Sequence, residues 1–248
     1  MTLPRFHVPS AAPGAHVELP EHAAHHAREV LRLRAGAAVR VFDGVGAEFE
    51  AVLDEVSRRT VSARLRHPVA PRPESPLRLV LAVSPLKGDR MEVVVQKATE
   101  LGVAEIWPVV TFRTDAAARP ALHGSRGERW QRVASGAAEQ CGRAVVPHVP
   151  PTTTLDGLLA RPFDGARVVL LETPGHPALA SLRVDASAPL LLLVGPAGGF
   201  EAAEAEALHA AGFASASLGP RILRAETAAL AAVAIAQATW GDLQGVRS

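Results

Sequence analysis

The chain has 248 residues, 48% apolar and 21% charged, with a formal net charge of +1. That length allows one large domain or two smaller ones, each with its own core, and the balance excludes a disordered chain or a strongly electrostatic partner as a whole-chain property. The single cysteine, Cys141, excludes an internal disulfide and any cysteine-held metal cluster.

The opening MTLPRFHVPSAAPGAHVELP lacks the apolar core of a secretion signal, and no apolar run approaches a membrane span. A cytoplasmic protein without membrane contact is the expectation. LPEHAAHHAREVLRLRAG then reads as a short helix ended by Gly36, followed by alternating strands in AVRVFDG, AEFEAVLDEV and TVSARLRHP, with a turn at Asp43-Gly44. A helix with several short strands over residues 1–70 predicts a small β-barrel module. VAPRPESPL, with three prolines, supplies a linker at 71–76. Beyond it, 77–248 alternates apolar strands with helices. LRLVLAV, AEIWPVV, ARVVLLE, APLLLLVG and SASLG are the strands. GDRMEVVVQKATELG, SRGERWQRVASGAAEQCG, EAAEAEALHAAG and ETAALAAVAIAQATWG are the helices. Fully apolar strands in that rhythm predict an α/β domain whose parallel sheet is covered on both faces.

Three strand ends carry unusual turns: LETPGHP (171–177), LVGPAGGFE (193–201) and LGPRILRAET (218–227). Ligands of open parallel sheets bind beyond the carboxyl ends of strands, so the three turns predict one shared site. Gly195, Gly198 and Gly199 do not have the spacing of a dinucleotide fingerprint and lie too late in the domain to begin one. A phosphate-binding P-loop is excluded because no Gly-Lys-Ser/Thr follows. The HAAHH cluster sits on a polar helix and reads as a solvated face, so no metal is expected.

VGPAGGFEAAE, LGPRILRAETAALAAV, KGDRMEVVVQKATELGVAEIWPV, EQCGRAVVP and the N-terminal RFHV with HAREVLRLRAGAAVRVFDG together resemble the ribosomal RNA small subunit methyltransferase E family. The resemblance runs in order over nearly the whole chain. It implies an N-terminal PUA-like barrel for RNA contact and a SPOUT-type parallel sheet with a C-terminal trefoil knot. It also implies a homodimer, S-adenosylmethionine as cofactor, and methylation of uridine N3 in 16S rRNA of the small ribosomal subunit.

In that reading Leu171 and Glu172 form the first cofactor loop, Val194, Gly195, Pro196, Gly198 and Gly199 the second, and Leu218, Gly219, Ile222, Leu223, Arg224 and Thr227 the third. Glycine lets a main chain approach a ligand closely. Glu226 and Thr227 also suit the start of a helix. Uridine N3 carries a proton near neutral pH, so transfer needs a base or a field favouring the anion. Arg221 and Arg143, with Arg5 from the first domain, are candidate anion stabilisers, and Glu226 is the candidate base. For RNA, Arg5, Arg28, Arg32 and Arg34, with Arg58, Arg59, Arg64 and Arg66, form a candidate basic face. Ala197 stands where the family usually carries glutamate, and Ala225 where threonine is more usual. The first departure leaves an alternative open: an RNA-binding or ribosome-assembly factor of the same fold with weakened catalysis.

Overall fold

Period-two alternation in residues 38–69 folds as expected, into strands β3 (Ala38–Phe42), β4 (Glu48–Val56) and β5 (Val61–Val69). The computed structural model describes residues 3–118, 121 and 126–244. The chain divides into two compact units: residues up to Glu74 group with Ser135–Val146, and Ser75–Ala134 group with residues from Pro147 onward.

In the first unit, β1 (Arg5–His7) and β2 (His16–Glu18) complete a five-stranded sheet in the order β1-β3-β4-β5-β2. β1 runs parallel to β3 and the other pairs are antiparallel. Val39, Val41, Phe49, Ala51, Leu53, Ala63 and Leu65 point into one core, which Phe6 and Ala27 close. The helix is shorter than the sequence predicts. α1 (Glu21–His25) passes into a single π-helical turn (His26–Val30), and Arg32 takes a left-handed φ of 51°. The chain leaves the helix there because Leu33 packs against the barrel core. Gly36, the expected stop, instead turns the chain into β3, its N–H donating to Leu53 O at 2.8 Å.

Arg5 has a structural role in this unit. Its side chain is 7% exposed. Nε donates to the buried Glu48 at 2.9 Å, Nη1 to Ala138 O at 2.8 Å and Glu139 O at 3.2 Å, and Nη2 to Arg143 O at 3.0 Å. It thus meets carbonyls in the last turn of α3 (Arg126–Cys141), where Ala138 O also accepts from the Gly142 N–H at 3.1 Å. The predicted start of α3 at Ser125 lies outside the described residues. The expectation that Arg5 contacts RNA is corrected accordingly, since its donors are spent within the protein.

The second unit holds a six-stranded parallel sheet, ordered β11-β9-β10-β6-β7-β8. These strands are β6 (Leu79–Val83), β7 (Glu105–Val110), β8 (Thr153–Thr154), β9 (Ala166–Leu170), β10 (Leu190–Val194) and β11 (Ala214–Ala216). Every residue of β6 and β10 is buried. Leu191 and Leu193 join Val80, Ala82 and Trp107 in a core with Leu155 and Leu158 of α4 (Leu155–Leu159) and Leu208 of α5 (Ala202–Ala210). The alternate residues face the side where α6 (Ala225–Trp240) packs on β6, β10 and α2 (Arg90–Glu100). The fully buried Gln237 fastens the end of α6: it accepts from Ser75 Oγ at 2.6 Å and donates to Gly102 O at 3.1 Å.

Glu139 of the first unit supplies a pH test. Burial pushes its carboxyl up to about 7 from an ordinary 4.5, although the His7 N–H and Arg5 oppose the rise. A folded value above the unfolded one contributes stability that is present below about 4.5 and lost as pH climbs through about 7. Glu139→Gln keeps the oxygen that accepts from the His7 N–H. Its stability relative to the parent should therefore rise by on the order of 2 kcal/mol between pH 5 and pH 8, as read by urea unfolding at both.

Candidate functional site

Register brings the strand ends level. In β10, Val194 pairs with Val83 of β6 and with Leu170 of β9, and Leu170 pairs with Ala216 of β11. The loops that follow therefore leave the sheet at one height. Main-chain bonds hold them there: Leu171 N–H to Ala216 O at 2.9 Å, Ser217 N–H to Pro177 O at 2.8 Å, and Ser84 N–H to Val194 O at 3.1 Å.

Between the loops lies a cavity of about 380 Å³. Such a volume lies in the range usual for small-molecule sites, about 300–1,000 Å³. Leu171 and Glu172 line it from the first loop, Val194, Gly195, Pro196, Gly198 and Gly199 from the second, and Leu218, Gly219, Arg221 and Leu223 from the third. The structure therefore brings these expected residues together. Others it places elsewhere. Ile222 is 82% exposed and lies off the lining. Arg224 is exposed and is the N-cap of α6, its carbonyl accepting from Ala228 N–H at 2.8 Å. Glu226 and Thr227 sit in the first turn of that helix, also off the lining. Arg143 belongs to the first unit, nearly buried, with Nη2 2.5 Å and Nε 2.9 Å from Glu74 Oε2. That ion pair makes it a structural residue of its own unit. Of the proposed basic face, Arg32 and Arg34 are exposed, while Arg28 bonds Glu29 and Ser57 O.

Sequence reasoning missed several lining residues. Ala202 and Ala205 of α5 and Ala225 and Ala228 of α6 leave room where larger side chains would fill the space. The available signal was the alanine-rich start of both helices. Phe200 lines one wall, and its ring would lie 2.7 Å from a Cβ placed on Gly195. Arg113 comes from a fourth strand end, after β7, where the sequence has no glycine to mark it. Ala197 is exposed and also lines the cavity.

The RNA methyltransferase domain matches residues 73–237, and the RNA methyltransferase PUA domain matches residues 19–66. The ribosomal RNA small subunit methyltransferase E of Bacillus subtilis is 32% identical over 84% of this chain and 84% of its own length. That of Synechocystis sp. is 34% identical over 85% of this chain and 69% of its own. The chain belongs to the ribosomal RNA small subunit methyltransferase E family. Among solved structures, a Legionella pneumophila protein with bound SAM superposes with a TM-score of 0.90 at 34% identity, over 98% of this chain and 100% of that one. The Neisseria gonorrhoeae member, bound to S-adenosyl methionine, gives 0.87 at 35% identity over 97% and 99%. The fold is accordingly a SPOUT-type parallel sheet with a PUA-like N-terminal unit, as the resemblance implies.

The methyltransferase E loop depends on one backbone conformation. Gly199 has a φ of +68°, and a Cβ there would lie 2.9 Å from Glu172 Oε1. Gly198 carries no such φ, and its Cβ would lie 3.3 Å from the Arg113 side chain. Gly199→Ala should therefore lower unfolding stability by about 1 kcal/mol, and Gly198→Ala by clearly less, in paired denaturant titrations.

Proposed function

We propose that this protein methylates N3 of a uridine in 16S rRNA of the small ribosomal subunit, with S-adenosylmethionine as donor, and that it works as a cytoplasmic homodimer with the knotted C-terminal segment of its family. The observation that carries the reading is the cavity itself. Three loops at the carboxyl edge of a parallel sheet converge on it, one of them holding Gly195, Gly198 and Gly199, in a chain that superposes closely on relatives solved with that cofactor.

The lining suits such a molecule. Leu171, Leu218, Leu223, Val194 and Pro196 offer apolar walls for a planar base, and the glycine backbone leaves polar main-chain edges accessible beside them. Glu172 brings a carboxylate to the same space, as a cationic or hydroxyl-bearing ligand requires. S-adenosylmethionine, when bound, supplies an electrophilic methyl group carried by a sulfonium. The protein's share is to hold the nucleophile in line and to favour loss of the N3 proton. Arg221 lines the cavity and is exposed, so its guanidinium serves in this reading as the cation facing the uracil oxygens. Glu226, in the first turn of α6 and half-buried, is the proposed proton acceptor. Ile222, Arg224 and Thr227 are not required to hold the donor in this arrangement. The exposed Arg32, Arg34, Arg58, Arg59 and Arg66 form the proposed RNA-facing surface of the PUA-like unit.

The experiment supplies small subunits from a strain lacking this methyltransferase, labelled S-adenosylmethionine and purified protein, then maps the modified nucleotide. N3-methyluridine in 16S rRNA is the expected product. Donor binding without transfer favours the factor with weakened catalysis, for which Ala197 on the cavity lining is the specific observation. Absence of donor binding overturns the methyltransferase reading. Arg221→Ala should lower kcat at least tenfold while donor affinity changes less than threefold, and Arg224→Ala should leave affinity within about threefold of the parent.

A further inference from the structure

The sequence TFRT, residues 111–114, forms a turn after β7 that no part of the proposed chemistry uses. Three buried hydroxyls build it. Thr111 N–H donates to Thr114 Oγ1 at 2.8 Å, the two threonine hydroxyls lie 3.1 Å apart, and Ser84 Oγ lies 3.4 Å from Thr111 Oγ1. Ser84, Thr111 and Thr114 are 0%, 4% and 3% exposed. Since Ser84 N–H also donates to Val194 O, the turn is tied to the end of β10, from which the glycine loop departs. On its outer side, Phe112 N–H donates to Glu204 Oε1 at 2.8 Å, while Glu204 Oε2 accepts from Glu201 N–H at 3.0 Å. One carboxylate therefore staples the turn to the start of α5.

This frame presents Arg113 to the glycine loop. Nε donates to Glu201 Oε1 at 2.7 Å and Nη1 to Gly198 O at 2.7 Å. The other end of the same peptide unit is also held, because Gly199 N–H donates to Pro196 O at 2.9 Å. A peptide between two glycines rotates with little steric resistance. Here its carbonyl and its N–H are both engaged, so the plane has one orientation.

We infer that Arg113 is a positioning residue that pins the Gly198–Gly199 peptide and so holds the glycine loop in the shape that admits the methyl donor. The inference deepens the proposed function and rests on it for the identity of the ligand. Preorganisation of this kind strengthens binding by removing the cost of ordering the loop. An arginine suits this task. Its planar fork reaches a carbonyl and a carboxylate together, whereas lysine presents a single ammonium.

Two measurements on the full-length protein test this. Hydrogen exchange at the Gly199 amide, without any ligand, should quicken at least tenfold in Arg113→Ala and less in Arg113→Lys, while amides of β6 and β10 keep their rates. Calorimetry and steady-state kinetics with S-adenosylmethionine should show Kd and KM raised about tenfold in Arg113→Ala, with kcat at saturation changed less than threefold. Arg113→Lys should fall between alanine and the parent. Parent-like exchange at Gly199 in both variants overturns the pinning. Parent-like Kd and KM with quickened exchange overturn its role in binding. If the parent itself fails to bind the donor, the functional reading falls, and the exchange comparison still decides what Arg113 does to the loop. Should Arg113→Ala unfold, the Lys variant and Glu201→Gln, which loosens the same fork, give the same comparison.

Discussion

The parallel register of β9, β10 and β6 is the constraint on which the candidate site depends. Leu170, Val194 and Val83 end level with one another. The pairing runs unbroken from Leu190 to Val194 on both sides of β10, so the three strands stop at one height. Level strand ends place the loops within main-chain hydrogen-bonding distance. The bonds Leu171 to Ala216 and Ser84 to Val194 then fix the heights at which the loops leave the sheet.

That sheet explains what the amino-acid pattern revealed. Strands buried on both faces advertise themselves as apolar runs, and the runs LVLAV and LLLLV were legible for that reason. The glycine and proline turns after them were legible because few other functions require such residues there. Several of the short elements were not. β1, β2 and β8 have three, three and two residues, too few for a period to register. The end of α1 was hidden because a non-glycine residue, Arg32, takes the left-handed conformation. Arg113 was hidden because its turn is made by threonine hydroxyls, whose role appears only when Ser84 from another strand end joins them.

Arginine is the residue whose role sequence identifies least well. Arg5, Arg143 and Arg221 share one chemistry and were assigned one task, yet only Arg221 lines the cavity. The other two are spent within the N-terminal unit, Arg5 on Glu48 and three carbonyls, Arg143 on Glu74. Five donors on a planar fork can satisfy several buried acceptors at once, so arginine is as apt to complete a core as to meet a polyanion. Net charge does not separate the two uses. Burial does, and it depends on the tertiary neighbours.

The glycine loop shows why freedom and order must coexist at such a site. Gly199 is needed because its φ of +68° is poorly tolerated with a Cβ, and the same absence of a Cβ lets the main chain come close to a ligand. A loop chosen for those properties is intrinsically loose, and ordering it on binding would cost affinity. The order has to come from outside the loop. In this protein it comes from a strand end two places along the sheet, through one guanidinium held by Glu201 and anchored by a buried trio of hydroxyls. Ala197 sits in this loop and lines the cavity. The Gly198–Gly199 peptide beside it is held by Arg113 and by Pro196 O, groups that do not involve the Ala197 side chain.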